Sequence, residues 1–109
     1  MALTRDQILA SRLKVTEIDV PEWGGSVFVR ELSAKEQEMA EERVRSSGKD
    51  NAAWLASLTI CDANGVSIFT DKDIPELSKL SGSVLTRVIL AASKLSGLDE
   101  EAVKELQKN

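Results

Sequence analysis

Residues 52–61, Ala-Ala-Trp-Leu-Ala-Ser-Leu-Thr-Ile-Cys, set the tightest limit on what this chain can fold into. Wound as a helix, they put Trp54, Leu55, Leu58 and Cys61 on one side and Ala53, Ala56 and Ile60 on the other, with Ser57 and Thr59 as the only polar breaks. A helix apolar nearly all round has no face to offer water, so the rest of the chain must surround it. The 109 residues suffice for one such core and not for two, so a single domain over 1–109 is expected. Apolar residues at 42% and charged residues at 29% match globular usage and argue against disorder or a fibrous repeat.

Upstream, the spacing changes. In Val-Thr-Glu-Ile-Asp-Val, residues 15–20, Ile18 and Val20 share one face and Glu17 and Asp19 the other, the period of a half-buried strand. Val27 to Arg30 form a second strand candidate, and Pro21, Gly24 and Gly25 between them supply a fixed φ and free access to positive φ, so the two pieces read as a β-hairpin. Two capping boxes, Thr4 with Gln7 and Ser33 with Glu36, open a short helix to about Ser11 and a longer one to Arg45. The longer helix has a narrow apolar stripe, Ala40 and Val44 with Met39 opposed, and belongs at the edge of the domain. Asp50 or Asn51 is available to cap the central helix.

Beyond the central helix, Asp62-Ala63-Asn64-Gly65 predicts a tight turn and residues 66–69 a short extended piece. A short helix is expected around 75–80 after a cap at Thr70, ended by Ser81-Gly82-Ser83. Residues 83–95 carry a broad apolar face, with Gly97 placed to cap the end of the helix and Leu90 as the one large apolar residue off the stripe. A last helix is expected from Asp99 to Gln107. The fold class is therefore mainly α within α+β: a small multi-helix domain, helical over about 33–107, with an N-terminal β-hairpin over about 15–31.

The residue inventory narrows function. Without histidine or tyrosine, and with the single Cys61 in an apolar segment, the chain lacks the usual neutral-pH general base and the common transition-metal ligands, so no catalytic residue and no metal or other cofactor is expected. Acid pairs such as Glu38 with Glu41 or Glu42 read as a solvated helix face. Asp62-Ala63-Asn64-Gly65 fails as a calcium loop because Gly65 comes too early and no Glu follows at the right offset, and Gly24-Gly25 lacks the third glycine and lysine of a phosphate loop. Eighteen acids against fourteen bases, net charge −4, make nucleic acid a poor partner; a helix-turn-helix would have only Arg87 and Lys94 on residues 83–95 for DNA. No apolar run reaches the roughly 20 residues of a membrane span, and the first residues do not resemble a cleaved signal, so a reducing, cytoplasmic setting without membrane contact is expected.

Binding is left. Trp23 has two readings, a cover folded over Ile18 or Val27 and an amphipathic anchor for a partner, and burial statistics for tryptophan favour the first. The candidate partner or oligomer contacts are Trp23, Val27, Val29, Met39 and Leu90.

Several stretches together resemble the tail assembly chaperones of long-tailed bacteriophages. They are MALTRDQILA at the start, Ile18 through Gly25, VFVREL from Val27, LTICDANGVSIFTDKDIPEL from Leu58, and AASKLSGLDEEAVKEL from Ala91. The resemblance implies a mainly helical protein made in the cytoplasm of the infected bacterium and absent from the finished virion. It also implies a role in binding the tape measure protein, keeping that long helical chain soluble and helping to bring tail tube protein to it; a homo-oligomer is a further candidate partner state, since several copies binding one long polymer in series would multiply weak contacts. In related phages a programmed frameshift adds a carboxy-terminal domain. The competing reading is a small acidic head or tail component retained in the particle.

Overall fold

The computed structural model describes residues 1–97. The helix expected from Asp99 to Gln107 lies outside them.

Strands β1 (Val15–Val20) and β2 (Gly25–Arg30) form the expected hairpin, paired antiparallel from Val15 opposite Arg30 to Val20 opposite Gly25. Pro21–Trp23 make one 3-10 turn between them, and Gly24 closes it at φ 79°, donating its N–H to the carbonyl of Pro21 at 2.9 Å. A side chain at Gly24 would have to adopt that left-handed backbone, which glycine enters without steric cost. Register places Thr16, Ile18, Val20, Val27 and Val29 on one face and Val15, Glu17, Asp19, Phe28 and Arg30 on the other.

A third strand departs from the sequence reading. The central helix stops at Thr59, and Ile60–Cys61 form β3, with Ile60 opposite Val29 and Cys61 opposite Phe28. Helical periodicity could not separate the two outcomes, because Ile60 and Cys61 are buried in either. β-Branched Ile60 fits the pleated surface beside Val29 better than the completion of a third helical turn. Asp62 then closes the expected turn: its Oδ1 accepts from the N–H of Asn64 at 2.8 Å and of Val66 at 3.0 Å, and Gly65 sits at φ 82°.

Five helices complete the described residues: α1 (Arg5–Leu9), α2 (Ala34–Arg45), α3 (Asn51–Thr59), α4 (Ile74–Leu77) and α5 (Gly82–Leu95). Both capping boxes form as their residues predict, and Gly97 takes φ 78° just past α5. Several boundaries differ, α1 among them, ending at Leu9 rather than near Ser11. Asp50 does not cap α3 with its side chain; it adopts φ 57°, while Asn51 is the first helical residue, buried and accepting from Nε of Arg43 at 3.2 Å. The helix α4 ends at Leu77, leaving Leu80 exposed. Ser81 is the cap of α5, its Oγ accepting from Val84 N–H at 3.4 Å, so the helix begins one residue earlier than expected.

The core forms as two clusters joined by the same two helices. Val20 and Val29 of the hairpin, with Ile60, meet Ala56 of α3 and Val84, Leu85, Val88 and Ala92 of α5. On the other side of α3 and α5, Trp54, Leu55 and Ile89 meet Leu32 and Ala40. The all-round apolar character of α3 is thereby used: its two sides serve two clusters.

Candidate partner-binding surface

The hairpin tip and α5 form one surface. Glu22 in the turn accepts a hydrogen bond from Nη2 of Arg87 at 2.6 Å, which ties the tip to the helix. Its own backbone N–H, and then the Arg87 guanidinium, hold the Glu22 carboxyl below the ordinary range. Beside this latch lies an open groove of about 430 Å³ between β1 and α5. Ile18, Leu90, Ala91 and Leu95 give it an apolar floor, and Asp19, Arg87 and Lys94 stand at its margins.

Trp23 is 38% exposed at the hairpin tip, more open than the burial statistics for tryptophan favoured. It ends the 3-10 turn, whose start Pro21 fixes and whose end Gly24 closes. Leu90 faces the groove with Arg87 and Lys94, and it is half-buried, packed in part against the second cluster. Val27 is half-buried on the face turned to α5. Val29 must be withdrawn as a contact: it is 0% exposed in the first cluster, where Ala56 of α3 and Val84, Leu85 and Val88 of α5 close over its face of the sheet. Met39 is exposed, but on α2, a helix packed against α3 rather than part of the groove. The structure thus ties the turn that carries Trp23 to the helix that carries Leu90, through Glu22 and Arg87, and places Met39 on a separate element.

Two features escaped the sequence reading. Leu3, Ile8, Leu9 and Leu13 are all exposed around α1, whose five residues bury nothing; the capping box announced the helix but not whether anything packs on it. On the sheet face away from α5, Arg30 is 6% exposed and forms a two-bonded pair with Glu36, both N···O distances 2.8 Å. Arg30 also donates to the carbonyl of Glu31 at 2.9 Å and to Ser67 Oγ at 3.4 Å, so its donors are well supplied. The Arg30 hydrogen bonds, helped by the N–H of Ser33 and opposed by burial, hold the Glu36 carboxyl below its ordinary range. Burial pushes the neighbouring Cys61 thiol up. Among the described residues no group of three or more histidine, cysteine, aspartate or glutamate side chains is placed to hold a metal ion, and no helix is long and apolar enough to cross a membrane.

An exposed tryptophan at the hairpin tip and an apolar groove are features of surfaces that receive another polypeptide, and the fold that carries them is a small α+β module. Residues 4–109 match the family model of the phage tail assembly chaperone, and the chain belongs to that family. The solved structure of the bacteriophage HK97 tail assembly chaperone is similar in fold, at a TM-score of 0.66 and 21% identity, with 87% of this chain and 95% of that one covered. Among curated proteins none matches the sequence.

Proposed function

We propose that this chain acts without catalysis, as a chaperone that binds the tape measure protein during tail assembly, keeps it soluble and helps bring tail tube subunits to it. It works in the cytoplasm of the infected bacterium as one domain, in several copies, and is left out of the finished virion. Family membership over residues 4–109 is the observation that carries this reading. The groove between β1 and α5, with the turn that carries the exposed Trp23 tied to the same helix through Glu22 and Arg87, supports it physically: apolar floor and charged margins suit a partner with apolar stretches that must not meet each other. Several weak sites acting in series along one long polymer would multiply in strength.

Co-expression with the tape measure protein of the same phage tests the reading. That protein is expected to stay soluble only with this chain present and to co-purify with it. Trp23→Ala and Leu90→Lys, with the fold intact, are expected to weaken co-purification. No binding and no gain in solubility, together with stoichiometric recovery of this chain from purified virions, would replace the chaperone by a retained structural component.

A further inference from the structure

We infer that the open edge of β1 takes an extended segment of another protein as a fourth strand, and that this segment alternates apolar with basic residues. The inference goes beyond the proposed function, since it concerns the mode of contact and holds whichever tail protein supplies the segment.

The backbone gives the first argument. Among the described residues the sheet has the order β1-β2-β3, so one edge of β1 is unpaired. Glu31 donates its N–H to the carbonyl of Lys14 at 3.0 Å, and antiparallel pairing alternates, so Thr16, Ile18 and Val20 turn their backbone groups to β2. Val15, Glu17 and Asp19 therefore turn theirs outward. An edge of this kind is a template for an added strand.

The groove gives the second. It is lined by Thr16, Ile18 and Asp19 of β1 and by residues of α5, with none from β2, which puts it at the outer side of β1. A fourth strand there would lower alternate side chains onto Leu90, Ala91 and Leu95. From Thr16 to Asp19 the edge accommodates roughly four residues at about 3.3 Å each.

Charge selects the occupant. By register Glu17 and Asp19 lie on the sheet face away from α5, Asp19 also bordering the groove, and both would lie beside the outward side chains of an added strand. Basic residues there are favoured. A second copy pairing through the same edge would bring the Glu17 and Asp19 of each copy together, a like-charge arrangement that penalises self-pairing. On the groove side, Arg87 and Lys94 disfavour a base and leave the apolar floor as the attraction.

The test uses the full chain and two synthetic octapeptides as probes, one alternating valine with lysine and one alternating valine with glutamate. Amide hydrogen exchange is read by NMR at Val15, Glu17 and Asp19. The lysine peptide is expected to slow exchange at these three amides tenfold or more and to shift the methyl signals of Leu90 and Ala91, while the glutamate peptide does neither. Glu17→Pro removes one outward N–H while sparing the β1–β2 backbone hydrogen bonds, losing only the side-chain bond that Ser26 donates to Glu17, and is expected to abolish the protection; Leu90→Glu should weaken it. Equal response to both peptides, or shifts confined to the hairpin tip or to α2, would overturn the inference. So would amides already protected in the free chain, by a second copy if protection grows with protein concentration and by residues 98–109 if it does not. Loss of tape measure solubilisation is a separate result and bears only on the proposed function.

Discussion

Ser47 holds φ 57° at the first position past the cap of α2, where a glycine is the usual occupant. The glycine comes one residue later. Gly48 donates its N–H to the carbonyl of Arg43 at 2.7 Å and Ser47 to that of Val44 at 3.2 Å, the two bonds that close a helix end of this type. A Cβ on Gly48 would lie 3.1 Å from the Arg43 carbonyl oxygen, so the glycine serves close approach while the serine bears the unfavourable backbone. Ser47→Gly is accordingly expected to raise stability by about 0.5–1 kcal/mol, and Gly48→Ala to lower it, both checked by urea unfolding. The Arg30–Glu36 pair gives the second prediction at this scale. Because the folded chain depresses the Glu36 pKa, the stability it contributes is complete above the unfolded carboxylate range, near about 4.3, and is lost as pH falls through the lower folded value. Glu36→Gln should flatten the acid limb of a melting-temperature profile. It should also cost about 3 kcal/mol at neutral pH by leaving Arg30 buried without its partner, a loss that the double replacement Arg30→Met with Glu36→Leu should largely restore.

Among the elements, the hairpin shows what a sequence carries and what it does not. Alternation at Ile18 and Val20, with Pro21 and Gly24 between the strands, sufficed to place both strands and their turn, because these are local preferences acting on adjacent residues. The third strand was not legible. Ile60 and Cys61 belong to an apolar run whose period suits a helix, and only pairing with Val29 and Phe28, some thirty residues away in the chain, decides against it. Packing of α3 and α5 onto the sheet, equally long-range, buried Val29 and removed it from the candidate surface. Trp23 and Leu90 could be singled out from sequence, but the Glu22–Arg87 contact that ties their two elements together could not, since 65 positions separate the two charged residues. That latch is solvent-exposed, so its effect should be on the tip rather than on global stability. Arg87→Ala is expected to leave the thermal midpoint nearly unchanged while speeding amide exchange at Trp23 and Gly24; an unchanged exchange rate would mean that Pro21 and Gly24 alone hold the tip.

For the molecule as a whole, the decisive feature is that α3 and α5 serve both apolar clusters. Ala56 packs toward the sheet while Trp54 and Leu55 of the same helix pack toward Leu32 and Ala40, and on α5 Val88 and Ile89 divide in the same way. Removing either cluster therefore takes away one side of two helices that the other needs, which couples the clusters more strongly than a shared boundary would. Unfolding of the described core should then be a single transition. Trp54, covered by the Arg43 guanidinium 4.7 Å above its ring, reports on the second cluster, and the buried Cys61 thiol reports on the strand beside the first. In a Trp23→Phe background, which leaves Trp54 as the only tryptophan, its fluorescence, the reaction of Cys61 with a thiol reagent and far-UV circular dichroism are expected to share one urea midpoint. A fluorescence change at lower urea than the thiol reaction would show α2 and Leu32 leaving first, with Trp54 uncovered on a still-folded sheet. In that case the second cluster would itself become an accessible apolar surface, and the partner contacts could not be assigned to the β1–α5 groove alone.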